Sequence, residues 1–187
     1  IEHLFEVQDE ISLLIADKIR EYEGHLSFSD HLLEKRTDDL DAYEHFLKGR
    51  FFFTQWNAES STKAIEHFQK AVDIDPKMID AHLGLADSYS FMAVAGYAPR
   101  EESWMKAIES IEVAKKIDPD DKGLNYMLAN QAFFTEADFT KALEYGLKSL
   151  KAEPTYTEVH RFLSFLYSLK ADFKKAKAHI LFAKSID

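Results

Sequence analysis

The chain has 187 residues, 46% of them hydrophobic and 30% charged, a balance that excludes both a disordered polymer and a membrane-embedded bundle. Its formal net charge of −10 opposes nucleic acid, and the absence of Cys excludes disulfides and thiolate metal sites. Only 4 Pro and 6 Gly are present, which favours long helices.

Residues 1–26 are expected to form a leading amphipathic helix. Leu4, Val7, Ile11, Leu14, Ile15, Ile19 and Tyr22 recur at three- and four-residue steps, and Gly24 supplies a helix stop. A connector follows over residues 27–40. Thr37, before Asp38 and Asp39, has the chemistry of a hydroxyl cap followed by carboxylates in the positive first turn of a helix.

From Asp41 the chain repeats itself. The phrases His45-Lys48-Gly49-Phe52, His82-Leu85-Ala86-Tyr89, Asn125-Leu128-Ala129-Ala132 and His160-Leu163-Ser164-Tyr167 share one spacing. A second set follows: Ala64-Phe68-Ala71-Pro76, Ala107-Ile111-Ala114-Pro119, Ala142-Gly146-Ser149-Pro154 and Ala176-Ile180-Ala183. From each Pro (76, 119, 154) to the next first phrase (82, 125, 160) the interval is six residues. Large residues three and four apart make one stripe per helix, and the small residues let paired helices approach closely. Asp75-Pro76, Asp118-Pro119 and Glu153-Pro154 should end the second helices, since the residue before Pro avoids the α region. One pair cannot bury both faces, so the pairs must stack. The wider spacing between small residues in the first two pairs predicts longer connections, Thr54–Ser61 and Val94–Arg100.

The pattern resembles the tetratricopeptide repeat over residues 41–187, in four units of about 41–76, 77–119, 120–154 and 155–187. The resemblance implies an all-α, right-handed superhelix (an α-solenoid of four helix pairs) preceded by one extra amino-terminal helix. Departures are His45, His82, Asn125 and His160 in the family's Trp column, Lys48 for a Leu, and Gly146 for a large residue. The leading helix, through Leu4-Phe5-Glu6-Val7-Gln8-Asp9-Glu10-Ile11, is similar to the last helix of the α/β amino-terminal domain of the Tol-system propeller protein. That likeness implies a larger bacterial regulatory parent. The chain starts without Met and ends where the pattern next expects Pro, so it reads as a fragment.

No catalytic constellation is present. No two His stand four apart, the Gly are scattered, and no Gly-x-Ser-x-Gly turn occurs. Asp38-Asp39-Asp41 and Asp118-Asp120-Asp121 sit at helix ends, where dipole compensation accounts for them. His45, His82 and His160 share one packing column. No catalytic residue, metal ligand or cofactor is therefore expected.

By the family resemblance, the first helices line a concave groove. Its columns carry Phe46, Arg50 and Phe53; Leu83, Asp87, Ser90 and Phe91; Tyr126, Asn130, Phe133 and Phe134; and Arg161, Phe165, Ser168 and Leu169. Rings supply area and the polar groups set register, which suits a protein or peptide partner of neutral, basic or apolar character. The carboxylate-clamp variant of the family is excluded, because Phe46, Arg50, Gly84, Gly123 and Met127 stand where its Lys, Asn and basic residues belong. The function expected is a non-catalytic protein-binding scaffold, a docking or sensory segment, with no nucleic acid and no membrane insertion. The alternative is a structural or self-association module. It would associate through the groove, filled by its own chain or a sister chain, or through the apolar face of the leading helix, which otherwise packs around Phe51–Phe53. The composition suits a soluble chain of cytoplasm or periplasm and does not choose between them.

Overall fold

The computed structural model describes residues 37–186. The leading helix and most of the connector expected from the sequence lie outside them. The chain divides into two units, Ile1–Asp38 and Asp39–Asp187, and the second carries the architecture described below. Among the described residues there are eight helices and no strand. They are α1 (Leu40–Phe53), α2 (Ala58–Ile74), α3 (Ile79–Ala95), α4 (Arg100–Ile117), α5 (Lys122–Phe134), α6 (Phe139–Ala152), α7 (Thr157–Leu169) and α8 (Phe173–Ile186). Consecutive helices pack as the hairpins α1/α2, α3/α4, α5/α6 and α7/α8, and α2, α4 and α6 each pack on the first helix of the next hairpin. This is the paired-helix arrangement of a tetratricopeptide-like α-solenoid.

Small residues set the closeness of each pair. Gly49, Ala86, Ala129 and Ser164 are buried, as are Ala64, Ala107, Ala142 and Ala176. The tightest seam is built around Phe68, which is fully buried. A Cβ added to Gly49 or to Gly84 would lie 2.6 Å from the Phe68 ring. One ring of α2 thus fills two notches, one in α1 and one in α3. Gly146 of the third pair admits Leu163 of the fourth, which would meet a Cβ at 2.9 Å.

The helix ends follow local chemistry. Asp75, Asp118 and Glu153 are extended before their prolines, with φ of −122°, −146° and −137°. Their N–H groups donate to Ala71, Ala114 and Ser149, which gives the last carbonyls partners. The six-residue interval after Pro has a direct cause in two hairpins. His82 Nε2 lies 2.9 Å from the Pro76 carbonyl, and His160 Nε2 lies 2.9 Å from the Pro154 carbonyl. A carbonyl only accepts, so both rings carry their proton on Nε2.

Two local expectations are corrected. The cap of α1 is Asp39, whose Oδ1 accepts from Asp41 N and Ala42 N, and not Thr37. A carboxylate one residue from the helix reaches the free N–H groups, which Thr37 is too far back to do. The first two hairpins also lack longer connections. Each connection within a hairpin is short, and the extra residues are helical: α2, α3 and α4 have 17, 17 and 18 residues, whereas α5 to α8 have 13 or 14. Each of these turns contains one left-handed residue: Trp56, Gly96, Ala137 or Ala171. Only Gly96 adopts positive φ without a Cβ penalty.

Candidate functional site

The face formed by α1, α3, α5 and α7 is the candidate site. Charged and phenolic groups from distant hairpins act on one another across it. Arg50 of α1 and Glu158 of α7 both act on Asp87 of α3, and Arg50 also acts on Tyr156, which precedes α7.

Asp87 is the centre of the site. Burial pushes its carboxyl up to about 7; the neighbouring Glu158 charge adds to the rise, and Arg50 opposes it. Tyr126 and Tyr156 lie within reach of its charge, with their ring centroids 5.5 Å apart. Burial raises both phenols, and the Asp87 charge raises them further, so both remain protonated donors at neutral pH. Asn130 is buried, and its amide donates to the Tyr126 carbonyl at 3.0 Å. Arg50 and Arg161 are exposed at the margins.

The remaining expected residues divide between surface and packing. Phe165 is 43% exposed and meets Phe133 edge-on at 5.4 Å. Phe133 is half-buried, in ring contact with Phe134, Phe139 and Phe162 as well. Phe134 stacks on buried Trp104 at 5.8 Å, and its carbonyl accepts from Arg100 Nη2. Leu83 packs against the core of the second and third hairpins and fills the space at Gly123. Phe46 packs on Tyr43 and Phe68. Phe53 is buried and Phe91 half-buried, and both belong to an aromatic cluster with Trp56 and Tyr97. Ser90 is buried and bonds back to the Ala86 carbonyl, while Ser168 bonds to that of Ser164. Leu169 is exposed.

The face therefore brings Arg50, Asp87, Tyr126, Asn130 and Arg161 to one region, while Phe46, Phe53 and Phe134 serve mainly in seams. Tyr156 and Glu158 were missed by the sequence reading. They stand four and two residues before His160, ahead of the repeat phrase. The offset from His160 places Tyr156 at the residue before α7 and Glu158 in its first turn, and that offset was the available signal. Gly84 and Met127, two of the positions that exclude a carboxylate clamp, are occupied by packing: Gly84 faces Phe68 and Met127 is buried.

A lysine column was also missed. Lys63, Lys106 and Lys175 each stand one residue before the small Ala of the second helix. They lie 5.7, 5.6 and 5.1 Å from the ring centroids of Phe52, Tyr89 and Tyr167. Among the described residues no group of three or more His, Asp or Glu is placed to hold a metal ion, and no helix is long and apolar enough to cross a membrane.

No family model matches the sequence. The chain is similar to Superkiller protein 3 of Schizosaccharomyces pombe, 26% identical over 126 residues that cover 64% of this chain. The match covers 8% of that protein, so the chain spans only a small part of the curated relative's length. Together with the helix pairing, this likeness supports a protein-interaction scaffold, a class that is typically non-enzymatic.

Proposed function

We propose that the face of α1, α3, α5 and α7 binds a protein segment presenting at least one cationic side chain among apolar ones, and that the chain has no catalytic role. The observation that carries this reading is Asp87. A carboxyl raised to about 7 beside a second acid is under-compensated, and a bound Lys or Arg would supply the missing charge. Tyr126 and Tyr156 offer protonated hydroxyls and ring faces to the same side chain. Phe165 of α7 offers exposed apolar area on the same face, where its ring meets that of Phe133 of α5.

The four units of about 41–76, 77–119, 120–154 and 155–187 serve in this reading as one docking segment. The likeness of the leading helix to the Tol-propeller amino-terminal domain supports placing that segment, in a docking or sensory role, in a larger bacterial regulator. A panel of labelled peptides of about 15 residues, each with its Lys and Arg replaced by Gln in a matched copy, tests the chemistry. The cationic members should bind more tightly, and Asp87→Asn with Glu158→Gln should remove the preference while helicity is kept. Equal binding of both series would refute the reading.

Self-association is the second reading. It is supported by exposed apolar side chains along α8, where Phe173 is 67% and Leu181 53% accessible. Sedimentation of the full chain and of a form beginning at Thr37 separates a contact through α8 from one through the leading helix. Dimerisation of both forms supports α8, and dimerisation of the longer form alone supports the leading helix.

A further inference from the structure

The first and fourth hairpins share a constellation that the middle two lack. In the first, His45 of α1 and His67 of α2 place their Nδ1 atoms 3.0 Å apart. In the fourth, His160 of α7 and His179 of α8 do so at 2.9 Å. The partners stand at matching positions, His67 three residues after Ala64 and His179 three after Ala176. A ring seven residues after the first His stacks on the second in both cases. Phe52 lies on His67 at 5.5 Å and 10°, and Tyr167 lies on His179 at 5.5 Å and 11°. Lys63 and Lys175 lie over those same rings. The matching positions in the second and third hairpins hold His82 with Ser110 and Asn125 with Tyr145.

We propose that these two histidine pairs are proton-sensitive clips that hold the first and last hairpins closed at neutral pH and release them in acid. An Nδ1···Nδ1 contact needs one donor and one acceptor. His160 carries a proton on Nε2, bonded to the Pro154 carbonyl, so its neutral Nδ1 accepts and His179 Nδ1–H donates. A first added proton sits on His179 Nε2 and leaves the contact intact. A second puts hydrogen on both Nδ1 atoms and two positive charges side by side, and the contact breaks.

The surroundings oppose that second charge. Burial holds the His67 ring below its ordinary range, then His45 and Lys48 of α1 and Lys70 of α2, with Glu66 of α2 opposing. Lys48 is itself paired with Glu44. Burial and then His160 of α7 lower His179, and Lys175 of α8 lies beyond the Tyr167 ring. A depressed histidine makes the fold bind fewer protons than the unfolded chain below about pH 6.5. The stability from each clip is then lost as pH falls through that window.

Amide hydrogen exchange of the full chain, corrected for the chemical exchange rate, tests this. Between about pH 7.5 and about pH 5, exchange in α2 and α8 should speed by about tenfold or more, and in α4 and α6 by less than about twofold. His67→Gln with His179→Gln should abolish that contrast, and His82→Gln should leave it unchanged. Acceleration spread evenly over all eight helices, or a contrast that survives in the double variant, would overturn the proposal. Should the double variant fail to fold, proton titration of the imidazole resonances in the unaltered chain decides. Separated steps for each pair, the lower one below about pH 6, support the clips; ordinary single steps for all four rings refute them.

Discussion

The seam around Phe68 and the face around Asp87 lie on adjoining helices and follow opposite rules. At the seam, a ring of α2 fills notches at Gly49 and Gly84, and every group there gains by folding. At the face, Asp87 is held where its charge is disfavoured, and folding costs free energy at neutral pH. The packing around Phe68 serves stability. In the proposed function that cost is what a cationic partner relieves.

Breaking the seam should have the largest effect. Phe68→Ala removes a fully buried ring with notches on both sides, and should cost about 3–5 kcal/mol, read by denaturant unfolding. Gly84→Ala places a methyl against the same ring and should cost about 1–3 kcal/mol by overpacking. Next come two rings that were both expected in the groove. Phe133→Ala should destabilise by about 2–3 kcal/mol, because it loses four ring neighbours, while exposed Phe165→Ala should cost less than about 1 kcal/mol. Similar costs for both would mean that Phe165 belongs to a seam.

The pairing of helices was legible because small residues, Pro and His recur at fixed offsets, and each offset has a local cause. Pro76 and Pro154 end a helix, and their carbonyls then accept from His82 and His160 six residues later. The division of rings between seam and face was not legible. Phe133, Phe134 and Phe165 all read as apolar positions on first helices, and which neighbour each one meets depends on the stacking of whole hairpins. Asp87 and Glu158 are 71 positions apart, and no short-range pattern signals that they meet. The histidine partners His67 and His179 were within reach of the repeat arithmetic, since they occupy one column of the second helices. The connection lengths failed because extra turns of helix and extra loop give the same spacing between small residues.

Asp87→Asn sharpens the comparison from the other side. A carboxyl raised to about 7 in the fold, against about 3.9 unfolded, makes the fold bind more protons between those values, so its contribution to stability falls as pH rises from about 4 to about 7. The full difference corresponds to about 4 kcal/mol, and the solvent that reaches a half-buried group reduces it to about 1–3 kcal/mol. Asp87→Asn should stabilise by that amount at about pH 8 and flatten this part of the pH profile. A loss of stability at that pH would show that Asp87 is satisfied in the fold.

The smallest effect is expected at the turns, which belong to neither region. Ala171 has φ of 58° just before Asp172, whose carboxylate accepts from Lys175 N at the start of α8. Ala171→Gly should stabilise by about 0.5–1 kcal/mol, visible as a small rise in Tm, and Ala137→Gly should do the same before Asp138. Neither change should alter peptide binding.

In the proposed function the first-helix face holds an under-compensated carboxyl that a cationic partner satisfies. Carbon-detected NMR titration of the Asp87 carboxyl, in the free chain and with the tightest cationic peptide bound, tests it most directly. The account predicts titration near 7 in the free chain and a shift of about one unit or more downward in the complex. An Asp87 carboxyl that titrates in the ordinary range near 4 in the free chain, or that does not move when the peptide binds, would contradict it.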